Sequence, residues 1–162
     1  MKRSPLNRIT PLKRTPLFRR VRRNDKPEVR ANWAASQVQR CACCWAPFNG
    51  TSIVAHRHHL LGASRREDDP RNLLLLCFQW AEYRPRCHDL YHGANIRRED
   101  GTLWPQLTTG MCLVLKAESD PENYDPEWLQ DLMGKRLLPE IEPLPEEFIR
   151  ERERWQRIGG RI

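Results

Sequence analysis

All five histidines of the chain fall between His56 and His92, and four of its six cysteines, Cys41, Cys44, Cys77 and Cys87, bracket the same stretch. Histidines scattered over a solvated surface would not gather in this way, so metal chemistry is the economical reading. Cys41 and Cys44 have the two-residue spacing that lets both sulfurs reach one tetrahedral ion. Cys77 closes an apolar run and Cys87 opens a segment of helical character, and this second pair would complete a structural Zn²⁺ site that ties a thin core together. Cys43 is a spare that could replace Cys44, and Cys112, beside Leu113, reads as plain core. His88 and His92 are four apart on a predicted helix, so both imidazoles project from one face as a bidentate metal site. His58, at the end of a predicted strand, could be the third ligand and leave positions open for water and substrate. Its neighbour His59 is placed to act as general base on a metal-proximal water, provided that it is neutral and one ring nitrogen is oriented by an acceptor. Asn72, directly before the next strand, could bring a carbonyl to that nitrogen. His56 lies two residues before His58, on the same side of the strand, where it could support the ligands, replace one, or be a structural histidine.

These residues need elements to carry them. The β-branched start of Thr51 to His59 predicts a strand, residues 62–72 a polar loop, and Leu73 to Cys77 a short apolar strand. Residues 78–86 form an irregular aromatic and basic insert, and Cys87 to about Arg98 can form a helix. Two strands, a long loop and a helix make a ββα unit, and the fold class is α+β. A leading helix is expected from near Pro27, capped by Asn24 or Asp25, with Val29 and Trp33 inward and an end before Cys41. The stretch from Leu107 to Glu118 reads equally as buried helix or strand. Asp125-Pro126-Glu127 starts a helix that packs through Trp128, Leu129, Leu132 and Met133 and stops at Gly134. A Pro- and Glu-rich linker over 139–145 precedes a last helix with Phe148, Arg152 and Trp155 on one side.

Charge divides the chain differently. The net charge of +7 resolves into +9 over residues 1–30, +2 over 31–100 and −4 over 101–162. Residues 4–8, 10–14 and 15–19 repeat the pattern [ST]-P-L-x-R, and proline at that frequency excludes a helix. The expected organisation is a disordered basic arm over 1–23, a metal-binding unit with its leading helix over 24–100, and a mainly helical acidic extension over 101–162. A basic arm on a near-neutral body suits a polyanion, nucleic acid above all, and Arg8, Arg14 and Arg19 recur within it as phosphate contacts. Arg57, Arg65, Arg66 and Arg71 are further candidates for DNA phosphates, and Trp80, Tyr83, Arg84 and Arg86 of the insert for stacking and phosphate pairing. The longest wholly apolar run is Leu73 to Phe78, far short of the ~18 residues that read as a membrane span. No apolar segment follows Lys2 and Arg3, so no secretory signal is expected, and the cytoplasm is the expected location.

Arg57-His58-His59-Leu60-Leu61-Gly62, then Asn72 to Cys77, then Cys87-His88-Asp89-Leu90-Tyr91-His92-Gly93 resembles the HNH endonucleases, a ββα-metal fold. The likeness covers about residues 41–93, with all three signature blocks in order. It implies metal-dependent hydrolysis of DNA phosphodiesters with 5′-phosphate products. By position, His58, His88 and His92 would hold the metal, His59 would be the base and Asn72 would hold it. Mg²⁺ or Mn²⁺ is the expected catalytic ion, although a three-histidine site also admits Ni²⁺ or Zn²⁺. The four cysteines resemble the structural zinc site of many members, with one departure: nine residues separate Cys77 from Cys87 where C-x-x-C is usual, so the insert must loop out. The small basic format is similar to proteins of bacteriophages and prophages, which implies partners in DNA packaging or recombination. The competing expectation is a noncatalytic zinc module that binds nucleic acid or a partner protein, or serves as a phage accessory module.

Overall fold

A computed structural model of the chain describes residues 27–61, 68–79 and 82–159. The expectations for the arm, for Arg8, Arg14 and Arg19, for the cap at Asn24 or Asp25, and for Arg65, Arg66 and Trp80 lie outside the described residues. Strand β1 (Ile53–His59) pairs antiparallel with β2 (Leu73–Gln79), from Ile53 opposite Gln79 to His59 opposite Leu73. A 3-10 turn over Pro70–Asn72 leads into β2, with Asp69 capping it by accepting from the Arg71 N–H. The leucines of β2 are all buried because both faces of the strand are covered. Leu74 and Leu76 enter the main core, while Leu73 and Leu75 pack with Trp33 of the leading helix α1 (Pro27–Ser36). This is the two-residue period of a strand read out as two separate clusters.

Helix α2 is shorter than expected. It spans Cys87–Tyr91, His92 closes it, and Gly93 at φ 83° turns the chain away. A non-glycine residue would resist that left-handed backbone. The segment to Arg98 that the sequence assigned to this helix instead forms an extended bridge between Arg97 and Leu103. The ambiguous apolar run resolves as helix α3 (Thr109–Ser119), opened by the Thr108 hydroxyl accepting from the Met111 N–H. Helices α4 (Pro126–Met133) and α5 (Glu146–Gly159) follow, α4 capped by Asp125 at its start and by Gly134 at its end, as the sequence indicates. Gly110 of α3 is a contact point: a Cβ there would collide with the Glu140 carbonyl, so the 139–145 linker lies directly on this helix.

The described chain is therefore α+β, a two-stranded sheet with helices packed around it. The acidic extension is not separate in packing. One buried cluster runs from Cys41 through Leu76, Cys87 and Leu90 to Leu113, Leu129 and Phe148, so a division at residue 100 has no counterpart in the core. Among the described residues, no helix is long and apolar enough to cross a membrane.

Candidate functional site

The turn over residues 41–46 is built to aim sulfurs inward. Trp45 donates its N–H to the Cys41 carbonyl and Cys41 donates its own to Ala46, closing a tight loop whose Trp45 sits at φ 65°. Ala42 bonds Leu75 on β2, and Arg152 of α5 donates to the Ala42 carbonyl at 2.8 Å, so sheet and last helix both hold the loop. Gln79 at the end of β2 donates to the Pro85 carbonyl, and Cys87, two residues on, starts α2 with its sulfur within 4.8 Å of the Cys77 sulfur. The nine-residue separation thus does not keep the second pair apart.

Cys41, Cys44, Cys77 and Cys87 are buried with all four sulfurs within 4.8 Å of one another, and the Cys44 and Cys77 sulfurs are 3.6 Å apart. A tetrahedral zinc with bonds of about 2.3 Å has sulfur–sulfur edges of roughly 3.8 Å, so these four residues could hold one ion. Electrostatics points the same way. Burial opposes the Cys41 thiolate, but hydrogen bonds from the other three thiols outweigh it and hold Cys41 well below the usual thiol range. Cys44 and Cys77 are pushed up, chiefly by their hydrogen bonds to Cys41, and Cys87 is pushed well up by burial. Four adjacent sulfurs cannot all ionise alone; a divalent cation removes that conflict. Cys43, the spare, is buried beside the cluster with its thiol pushed up by burial, and Cys112 lies in the apolar core.

The next residue along α2 belongs to a second cluster. His58, His88 and His92 bring ligand nitrogens within 4.8 Å of one another. The strand delivers His58, and the helix delivers the other two from one face, with the His88 and His92 rings 4.7 Å apart. Tyr91 packs edge-on against His58 at 4.1 Å and is itself held by Thr109 of α3, an orientation that sequence spacing did not reveal. Burial, and then the neighbouring His56 ring 4.3 Å away, push the His88 pKa down against the partial offset of Asp89. Both main effects favour neutral imidazole, the form that binds metal. His56 therefore lies beside a ligand position, outside the three-histidine group.

His59 stands outside this three-histidine group. Its Nε2 lies 2.9 Å from Asp68 Oδ1, and both side chains are buried. The expected acceptor, Asn72, does other work. Its backbone carbonyl accepts from Leu60 and its side-chain carbonyl from Leu61, at 2.9 and 2.8 Å, while its amide donates to the Leu61 carbonyl. Asn72 thus closes the end of the hairpin, and the group on the His59 ring is Asp68. Two consecutive aspartates before Pro70 look alike in sequence, and nothing in their spacing tells that Asp69 caps the turn while Asp68 points inward.

No family model, no curated protein and no solved structure matches this chain.

The candidate phosphate contacts separate into two kinds. Arg57 is exposed on β1. Arg71 is committed within the fold: it pairs with Asp69 at 2.9 Å and Asp125 at 3.3 Å and lies 4.1 Å over the Trp128 ring. Of the insert residues, Tyr83 is exposed, Arg84 bridges Glu99 and Glu151, and Arg86 pairs with Asp89.

Proposed function

We propose that this protein is a metal-dependent DNA endonuclease of the HNH type. The observation that carries the reading is the convergence of His58, His88 and His92 from a hairpin strand and the helix that follows it, beside four cysteines that fix that helix. Cys41, Cys44, Cys77 and Cys87 would hold a structural Zn²⁺, and the three imidazoles a catalytic Mg²⁺ or Mn²⁺. Three neutral ligands leave a bound divalent ion its full charge, which offsets the negative charge that develops on a phosphodiester under attack. The chain's own contribution is to hold and move protons and to place the backbone of the substrate. His59 is the assigned base, taking a proton from the attacking water. Arg57, exposed two residues before the strand ends, is the described residue we assign to a phosphate; the basic arm would add sequence-independent affinity.

This reading distinguishes the protein from a zinc module that only binds nucleic acid, for which a second cluster of imidazoles has no use. The experiment is plasmid relaxation with Mg²⁺ or Mn²⁺, with a His59→Ala control. Wild type should nick, and the control should lose about 10²- to 10⁴-fold, the usual contribution of a general base. Nicking that persists in the control removes His59 from its role. Absence of nicking by wild type on duplex and branched DNA leaves the binding module as the function.

A further inference from the structure

His59 is buried at the end of β1, and the partner of its ring is a carboxylate that lies nine positions further along the chain. Asp68 is only 3% exposed, and a buried carboxylate needs compensation. Arg30, on α1, supplies it: its Nε lies 3.4 Å from Asp68 Oδ2, the oxygen that does not face the histidine. The three side chains therefore stand in a row, Arg30 to Asp68 to His59, from the leading helix to the strand. The segment that carries Asp68 is fixed further along by Lys116, which donates to the Pro70 carbonyl at 2.7 Å, and by Asn72 on the backbone of Leu60 and Leu61. Asp68 is thus held from both sides and is not a surface carboxylate that happens to touch an imidazole.

A carboxylate accepts and does not donate, so the nitrogen facing it carries the hydrogen. In neutral imidazole the other nitrogen then holds the lone pair. Resting on the nuclease reading above, we infer that Asp68 is the positioning residue for His59: it holds the proton on Nε2, fixes the ring, and leaves Nδ1 as the nitrogen that receives the proton of the attacking water. When Nδ1 accepts that proton, Nε2–H still donates to the Asp68 carboxylate, so the ring keeps its orientation. No oxidant or further reactant enters; one proton moves from water to Nδ1 and is later released to solvent or to the leaving oxygen.

The test uses the full-length protein in three forms: wild type, Asp68→Leu, and Asp68→Asn. Imidazole nitrogens of ¹⁵N-labelled protein report the tautomer directly, with the His59 signals assigned from His59→Ala. Wild-type His59 should show a single form protonated at Nε2. Asp68→Leu should give mixed tautomers and lower the nicking kcat by about 10- to 1,000-fold, below the ceiling set by complete loss of a base. The KM for DNA should stay within about twofold, because Asp68 is not assigned to the substrate. Zinc content should be unchanged. Asp68→Asn serves where leucine prevents folding: its amide can accept from Nε2–H or donate to Nε2, so the tautomer is no longer dictated. Wild-type His59 protonated at Nδ1, or Asp68 variants with the wild-type tautomer and kcat, overturn the assignment. A wild type that does not nick overturns the nuclease reading and the catalytic use of this pair, while the tautomer measurement still decides whether Asp68 sets the ring.

Discussion

Lys116 offers the sharpest test of how the acidic extension supports the site. It is 0% exposed on α3, where it pairs with Asp120, donates to the Pro70 carbonyl at 2.7 Å and lies 5.2 Å from the centre of the Trp33 ring. Asp120 also accepts from Trp33 Nε1 at 2.9 Å and from Asn123 Nδ2 at 2.8 Å. Lys116→Met keeps most of the volume and removes the charge. Removing one partner of a buried pair costs about 3–5 kcal/mol, and the two hydrogen bonds that Asp120 keeps place this case near 3. The bared Pro70 carbonyl adds about 1 kcal/mol, for a total of roughly 4. With a urea dependence of about 2 kcal/mol per molar, the unfolding midpoint should fall by about 2 M. Circular dichroism follows the unfolding. Adding Asp120→Asn to the variant removes the stranded carboxylate and should recover about half of the loss, so the two substitutions are non-additive. A loss under about 1 kcal/mol, the range of exposed pairs, would refute the reasoning, as would simple additivity.

Zinc removal should unfold the hairpin and α2 together, because structural zinc contributes about 10–16 kcal/mol, as much as a whole domain's stability; purified protein should carry one tightly held zinc, and Cys87→Ser should lose it. Asp120 predicts an acid limb. Although burial opposes its ionisation, bonds from Lys116, Asn123 and Trp33 hold its carboxyl below the ordinary 3.8. Its contribution is therefore complete above that value and lost as pH falls through the lowered folded pKa, and Asp120→Asn should flatten unfolding curves below pH 3.8. Arg71→Ala should lower stability by about 1 kcal/mol and leave the salt dependence of DNA binding unchanged, since its guanidinium faces Asp69, Asp125 and Trp128. Deleting residues 1–23 should do the reverse: the slope of log affinity against log salt, measured by titration, should flatten by about 0.9 for every phosphate that the arm neutralises.

What the sequence made legible follows from distance along the chain. His88 and His92 were readable because four positions on a helix fix a geometry, and Cys41 with Cys44 because two intervening residues do. The apolar β2 was readable from composition. The end of α2 was not, because a glycine in the left-handed region stops a helix that the preceding residues could continue. Asp68, Arg30 and Lys116 were not readable either, since each acts across a gap that no periodicity spans. The adjacency of Cys87 and His88 has a mechanical consequence. One helix residue belongs to the sulfur cluster and the next to the imidazole cluster, on a helix of only five residues. A helix this short has little stability of its own, so its orientation comes from what grips its ends. The cysteines grip the first turn, and Tyr91, bonded to Thr109 of α3, grips the last. These two clamps together set the orientation in which α2 presents His88 and His92 to His58.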